Sequence, residues 1–175
     1  MLLFTSRNDL QQHLSEVKAK GQTIGLVPTM GALHAGHLEI VKKAIEDNDV
    51  AVCSIFVNPT QFNNEGDLKH YPRRLEADVA LLRGIGCQIV FAPEVEEVYP
   101  PGEDISRFEI DLIHLDTVME GEHRPGHFRG VSLVVGKLFE MVTPDRAYFG
   151  EKDFQQLQVI KRMVRLRNVP VEVIG

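Results

Sequence analysis

The sequence is poor in cysteine. It has two, Cys53 and Cys87, each inside an apolar stretch that reads as a strand. Two such residues make no disulfide framework and show no metal-ligand spacing, so both are expected as small core residues. It also lacks a basic leader: the apolar residues 1–5 are too short for a secretory signal. No apolar run approaches the roughly 20 residues of a membrane span. Basic charge is outweighed, with 19 Lys and Arg against 25 Asp and Glu, for a net −6. A surface this acidic argues against nucleic-acid binding, and any anion site must be local, built from a few aimed groups. No internal repeat, low-complexity segment or activated Ser or Cys nucleophile stands out. The expectation is a cytoplasmic chain with no membrane and no nucleic-acid partner.

What is present suits one α/β domain over residues 1–175. Apolar residues are 43% of the chain, enough for a core of that size. Ser6 can cap a helix over 6–20, where Leu10, Leu14 and Val17 recur at helical steps and Gly21 follows. Residues 23–27 read as a buried strand, a loop with Pro28 and Gly31 follows, and 37–47 reads as a helix. The run Val50-Ala51-Val52-Cys53-Ser54-Ile55-Phe56-Val57 suits a central parallel strand covered on both faces. After a polar loop over 58–72 come a helix over 73–83 and a strand over 87–91. Residues 94–129 read as irregular, with a short strand near 107–112. A helix over 131–142, a strand over 146–149, a helix over 153–167 and a strand over 169–174 complete the chain. This alternation predicts a doubly wound parallel sheet with right-handed crossovers. Ligands bind such sheets beyond the strands' carboxyl ends, so the loops after 23–27, 50–57 and 146–149 are the candidate sites.

The first of these loops carries Met30-Gly31-Ala32-Leu33-His34-Ala35-Gly36-His37. A helix N-terminus offers free N–H groups and partial positive charge, a natural phosphate site. Gly36 removes a side chain where a phosphate would approach. His34 and His37 can point the same way and donate to phosphoryl oxygens. The alternatives are two partly exposed turn histidines, or zinc, for which no third and fourth ligand is obvious. Asn58 and Gln61, after the second strand, suit a substrate with hydroxyls and a carboxylate, or simple loop capping. Gly150-Glu151-Lys152-Asp153 repeats the strand-to-helix geometry. Lys152 could meet a phosphate and Asp153 ribose hydroxyls, or the segment is a solvated charge run with Asp153 as N-cap. Arg124, His127 and Arg129 form either an anion-facing loop or a structural one whose charges pair with Glu120 and Glu122.

The segment from Val27 to His37 resembles the signature of the pantothenate synthetase (pantoate–β-alanine ligase) family. Four more segments resemble it in order: Ser54 to Phe62, Tyr71-Pro72-Arg73, Arg124 to Val131, and Phe149 to Gln156. The likeness runs over essentially the whole chain. It implies a Rossmann-like fold of the HxGH nucleotidyltransferase type and an ATP-dependent joining of pantoate and β-alanine through pantoyl adenylate. It assigns residues 30–37 and 150–153 to ATP, with His34, His37 and Lys152 catalytic. Gln61 and Gln156 hold pantoate, Asn58 shapes the pocket, and Gln61 also meets β-alanine. Asp78 is implied as a magnesium ligand, although Ala77 stands where some members carry a second acid. The resemblance further implies a homodimer, and a C-terminal lid domain that these 175 residues do not include.

Overall fold

The computed structural model describes the backbone of residues 1–175 and every side chain except that of Glu65. Along the chain run β1 (Leu2–Phe4), α1 (Arg7–Ala19), β2 (Ile24–Thr29), α2 (Ala35–Asp47) and β3 (Val50–Ile55). A 3-10 turn (Pro59–Gln61), α3 (Glu65–His70), α4 (Leu75–Gly84), β4 (Ile89–Phe91) and α5 (Val95–Val98) follow. A second 3-10 turn (Ser106–Phe108) leads to α6 (Glu120–His123), α7 (His127–Val142) and β5 (Arg146–Tyr148). The last elements are a 3-10 turn (Glu151–Asp153), α8 (Phe154–Arg167) and β6 (Glu172–Ile174).

The strands form one six-stranded sheet, parallel throughout, in the order β1-β4-β3-β2-β5-β6. Side chains alternate across it, as the period of a strand requires. Leu26, Val52, Ile89, Phe91 and Ala147 join α1, α7 and α8 in one core. Val27, Ala51, Cys53, Val90 and Tyr148 join α2 and α4 in another, which also takes Cys87. Both cysteines are buried free thiols, as their apolar settings predicted. From β2 the chain steps to β3 and β4 on one side, then returns through α7 to β5 on the other. The carboxyl end of β2 is therefore the topological switch point, where an open α/β sheet leaves a crevice.

The departures from the sequence reading have local causes. Residues 2–4 form an edge strand on β4, pairing Leu2 with Ile89, which the apolar 1–5 stretch did not announce. The strand expected near 107–112 does not form. Ser106–Phe108 is a 3-10 turn bonded within itself, and Phe108 and Leu112 are buried singly rather than along a ladder. The run expected over 50–57 ends at Ile55, two residues early, because Asn58 starts a turn. α7 begins at His127, four residues earlier than the apolar pattern, since its first turn packs backbone on backbone. α2 begins at Ala35, which makes His34 its N-cap and His37 its third residue.

Candidate functional site

The turn after β2 reverses the chain through two successive left-handed residues, Gly31 (φ +81°) and Ala32 (φ 51°). The second is uncommon for a residue with a β-carbon and needs support from its surroundings. Asp78, buried on α4, supplies it. Its Oδ2 accepts the Ala32 N–H at 2.9 Å and its Oδ1 the Leu33 N–H at 2.8 Å. Thr29 adds a third restraint, its Oγ1 accepting from Gly31 N–H at 3.2 Å while donating to the Ser54 carbonyl at 2.7 Å. Asp78 is thus a clamp on the turn that aims α2 at the switch point.

At the start of α2 the two imidazoles take over the capping. His34 Nδ1 accepts the Gly36 N–H at 3.1 Å, and His37 Nδ1 accepts the His34 N–H at 3.4 Å. A backbone N–H can only donate, so both Nδ1 atoms are acceptors and both neutral rings carry their proton on Nε2. The ring centroids are 4.1 Å apart, tilted by 39°. Gly36 serves this packing directly: a β-carbon there would stand 3.1 Å from His34 Cε1. Its small size thus makes room for an imidazole, a use the phosphate argument did not foresee. Burial chiefly, and then the neighbouring His34 and Lys152, hold His37 below the ordinary histidine range, with Asp153 and Asp78 pulling the other way. His37 of the first loop and Asp153 of the third line the same cavity. At neutral pH His37 is an uncharged Nε2–H donor.

In the second loop Asn58 is fully buried and fully bonded. Its Oδ1 accepts from Thr60 N–H (3.3 Å), Thr60 Oγ1 (3.1 Å) and the Tyr99 hydroxyl (2.8 Å). Its Nδ2 donates to Gln61 Oε1 (3.1 Å) and to the Gly130 carbonyl (3.2 Å). Gln61 Nε2 reaches the Met30 sulfur at 3.0 Å. Behind it, His127 Nδ1 lies 3.0 Å from the Gln61 carbonyl. Burial of that ring is the main reason His127 also titrates below the usual range. The charges of the 124–129 loop are paired internally, Arg124 with Glu120 at 2.7 Å and Arg129 with Asp116 at 3.0 Å. The Arg124 pair is the one the structural alternative expected, whereas Arg129 meets Asp116 and not Glu122.

The third loop turns at Gly150, and Glu151, Lys152 and Asp153 are exposed on their 3-10 turn. Asp153 occupies the N-cap position of α8 but makes no capping bond, so its carboxylate is not tied to the helix. The neighbouring glutamines divide their work. Gln155 is buried and straps the 115–120 segment, donating to the Leu115 and Val118 carbonyls at 2.8 Å and accepting from Glu120 N–H at 3.1 Å. Gln156 faces the crevice.

There a cavity of about 170 Å³ gathers Met30, His37, Asn58, Gln61, Asp153 and Gln156 over a floor from α7, Val131, Val134, Val135 and Leu138. Pro28, Thr29, Phe56, Tyr71 and Phe149 close it. Tyr71 was legible only as part of a motif. Gly31 and Asp78 border a separate hollow with Arg73 and Arg74, and His34, Glu151 and Lys152 stand outside the cavity lining. At this size it suits a compact ligand, whereas pockets for larger ligands run to ~300–1,000 Å³.

A family model described as pantoate-beta-alanine ligase matches residues 2–175. The chain belongs to the pantoate-beta-alanine ligase family. A pantothenate synthetase of Bacteroides fragilis is 57% identical over 167 residues, 95% of this chain and 58% of that protein. The crystal structure of pantothenate synthetase from Thermus thermophilus superposes with a TM-score of 0.91 at 46% identity, over 100% of this chain and 61% of that one. The pantoate-beta-alanine ligase of Francisella tularensis, solved with beta-gamma ATP and beta-alanine, gives 0.92 at 38% identity, over 100% and 66%. The chain thus spans about 60% of the length of the curated family members it matches. Its sheet is the Rossmann fold of the HxGH nucleotidyltransferase type that these pantoate-beta-alanine ligases share.

Proposed function

We propose that this chain forms the ATP- and pantoate-binding side of an enzyme that condenses (R)-pantoate with β-alanine, cleaving ATP to AMP and diphosphate. The observation that carries the proposal is the cavity itself, where His37, Gln61 and Gln156 converge over the apolar floor of α7. Pantoate is a compact acid with an apolar branched body, hydroxyls and a carboxylate. The valines and Leu138 suit the body, and the carboxamides of Gln61 and Gln156 suit the oxygens. Among the described residues the cavity lining includes no Lys or Arg. That serves a carboxylate which must itself attack, because a tight ion pair would quench its nucleophilicity. An enzyme acting on a phosphorylated acceptor would want cations there instead.

Activation proceeds by attack of one pantoate carboxylate oxygen on the α-phosphorus of ATP, and the bond to the bridging oxygen breaks to release diphosphate. The β-alanine amine then attacks the acyl carbon, AMP leaves with the bonding pair, and the surplus proton passes to solvent. Residues 30–37 and 150–153 flank the nucleotide. His34 and His37 turn Nε2–H donors toward its phosphates, and Lys152 adds a mobile positive charge. Their work is positioning and charge stabilisation. Gln61 also meets β-alanine when the amine arrives.

Magnesium fits poorly as a protein-held ion. Both Asp78 oxygens already accept backbone N–H groups, and among the described residues no three His, Cys, Asp or Glu side chains converge. The ion belongs to MgATP, held by phosphates and water. Homodimer formation is supported by the exposed apolar side chains Ile105, Ile113, Val118 and Met119 on the 99–126 segment. Two free buried thiols suit a cytoplasmic location.

The test is calorimetry with ATP and then pantoate. Saturable binding of pantoate, weakened about tenfold or more by Gln61→Ala or Gln156→Ala, is expected. Failure to bind either ligand, or a pantoate affinity indifferent to both substitutions, overturns the reading.

A further inference from the structure

A glutamine side chain presents either two N–H donors or a carbonyl acceptor, and turning it over exchanges one for the other. In this site the choice for Gln61 is made elsewhere. Thr60 N–H can only donate, so the Asn58 atom it meets is Oδ1; the Gly130 carbonyl can only accept, so the atom facing it is Nδ2. Asn58 Nδ2 then donates to Gln61 Oε1, which leaves Gln61 Nε2 turned toward Met30 and the cavity both residues line. Gln61 therefore reads an acceptor, a carboxylate or hydroxyl oxygen.

Two of the three groups on Asn58 Oδ1 come from Thr60, inside the same tight turn, and move with it. The third is the Tyr99 hydroxyl, 41 residues away in sequence and the shortest of the three at 2.8 Å. Tyr99 is anchored on its own account. Its ring lies 6.2 Å from that of Phe56, and Lys137 Nζ sits 5.6 Å from the ring centre. Lys137, only 2% exposed, is paired with Glu103. Burial pushes the Tyr99 phenol up to about 12, so it stays a protonated donor across the physiological range.

We infer that Tyr99 is a positioning residue: acting through Asn58, it holds the Gln61 carboxamide with its donors facing the acid in the cavity. This rests on the pantoate reading for the identity of that acid, but not for the positioning itself. Networks of this kind couple their members, so removing a distant one is felt at the end of the chain.

The experiment compares wild type, Tyr99→Phe, Gln61→Ala and the double variant of this chain. In ¹⁵N-labelled protein, Tyr99→Phe is expected to shift the side-chain amide signals of both Asn58 and Gln61. Pantoate should bind about three- to tenfold more weakly, the range to which the net worth of one hydrogen bond converts. ATP affinity should stay within about twofold, and Tyr99→Phe should add no further loss to Gln61→Ala. Unmoved Gln61 signals, or losses that add in full, overturn the inference. Should wild type bind no pantoate, the pantoate reading falls and the amide signals alone decide the role of Tyr99. If Tyr99→Phe does not fold, 3-fluorotyrosine at position 99 keeps the shape and alters donor strength, and must move the same signals.

Discussion

A β-carbon on Gly130 would lie 2.4 Å from the carbonyl oxygen of Thr60 and 2.8 Å from the α-carbon of Gln61. The first turn of α7 therefore packs its bare backbone against the turn that carries the cavity-lining amide of Gln61. The Gly130 carbonyl completes the contact by accepting from Asn58 Nδ2.

Gly130→Ala should force these two backbones apart. Overpacking of this kind costs ~1–3 kcal/mol. Urea unfolding should show that loss, together with weaker pantoate binding. A variant of full stability and unchanged pantoate affinity would show that the turn yields freely.

Asp78→Asn replaces one of two acceptors by a donor facing a backbone N–H. The unsatisfied pair should cost ~1–3 kcal/mol. If the turn is what Asp78 holds, the loss should be the same at every magnesium concentration. Melting curves with and without magnesium check this, and a loss confined to the magnesium-bound protein would return the residue to a ligand role.

His37→Ala removes from the cavity wall the Nε2–H that the proposed mechanism turns toward the phosphates, together with the Nδ1 that accepts from His34 N–H. Pantoate-dependent exchange of labelled diphosphate into ATP should fall by roughly 10²-fold or more, while pantoate affinity changes little. Equal losses in both would sink the assignment of His37 to the phosphates.

Both His37 and His127 titrate below the ordinary histidine value, chiefly because burial disfavours their charged forms. Near and below pH 6.5 the unfolded chain therefore binds more protons than the folded one, and stability rises with pH across that window. The contribution is fully present above the ordinary histidine range and is lost as pH falls through the two lowered values. Melting temperature should drop between about pH 7 and pH 5, and His127→Gln should flatten part of the slope. Proton NMR of the imidazole C2–H signals would report the two midpoints directly, and values at or above the free-histidine range would contradict the prediction.

The parallel sheet was legible because its central strands are buried on both faces and so read as nearly continuous apolar runs, as at 50–55, where only Ser54 is polar. Helices announced themselves by period and cap, Ser6 accepting from Asp9 N–H where α1 begins. The edge strand β1 was not legible, since three half-exposed residues carry no period of their own and become a strand only when β4 offers an edge. The false strand near 107–112 came from the opposite error: its apolar residues fit the core singly, and its first residues close a 3-10 turn instead.

For the site, the sequence by itself determined the cast. The loop from Met30 to His37, the amides Asn58 and Gln61, and the segment from Gly150 to Gln156 lie just beyond strands that the apolar runs located. Parallel strands deliver such loops to one end of a sheet wherever they stand in the chain. What only the tertiary structure decided is how the parts are held. Asp78 became a clamp, Gln155 a strap and Asn58 a support, because each polar side chain, once buried, must find partners across the fold. The partners of Asp78 and Gln155 lie 46 and 40 residues away, and Asn58, beside its local bond to Gln61, has partners 41 and 72 residues away. No pattern of local spacing encodes such distances; chain closure creates them.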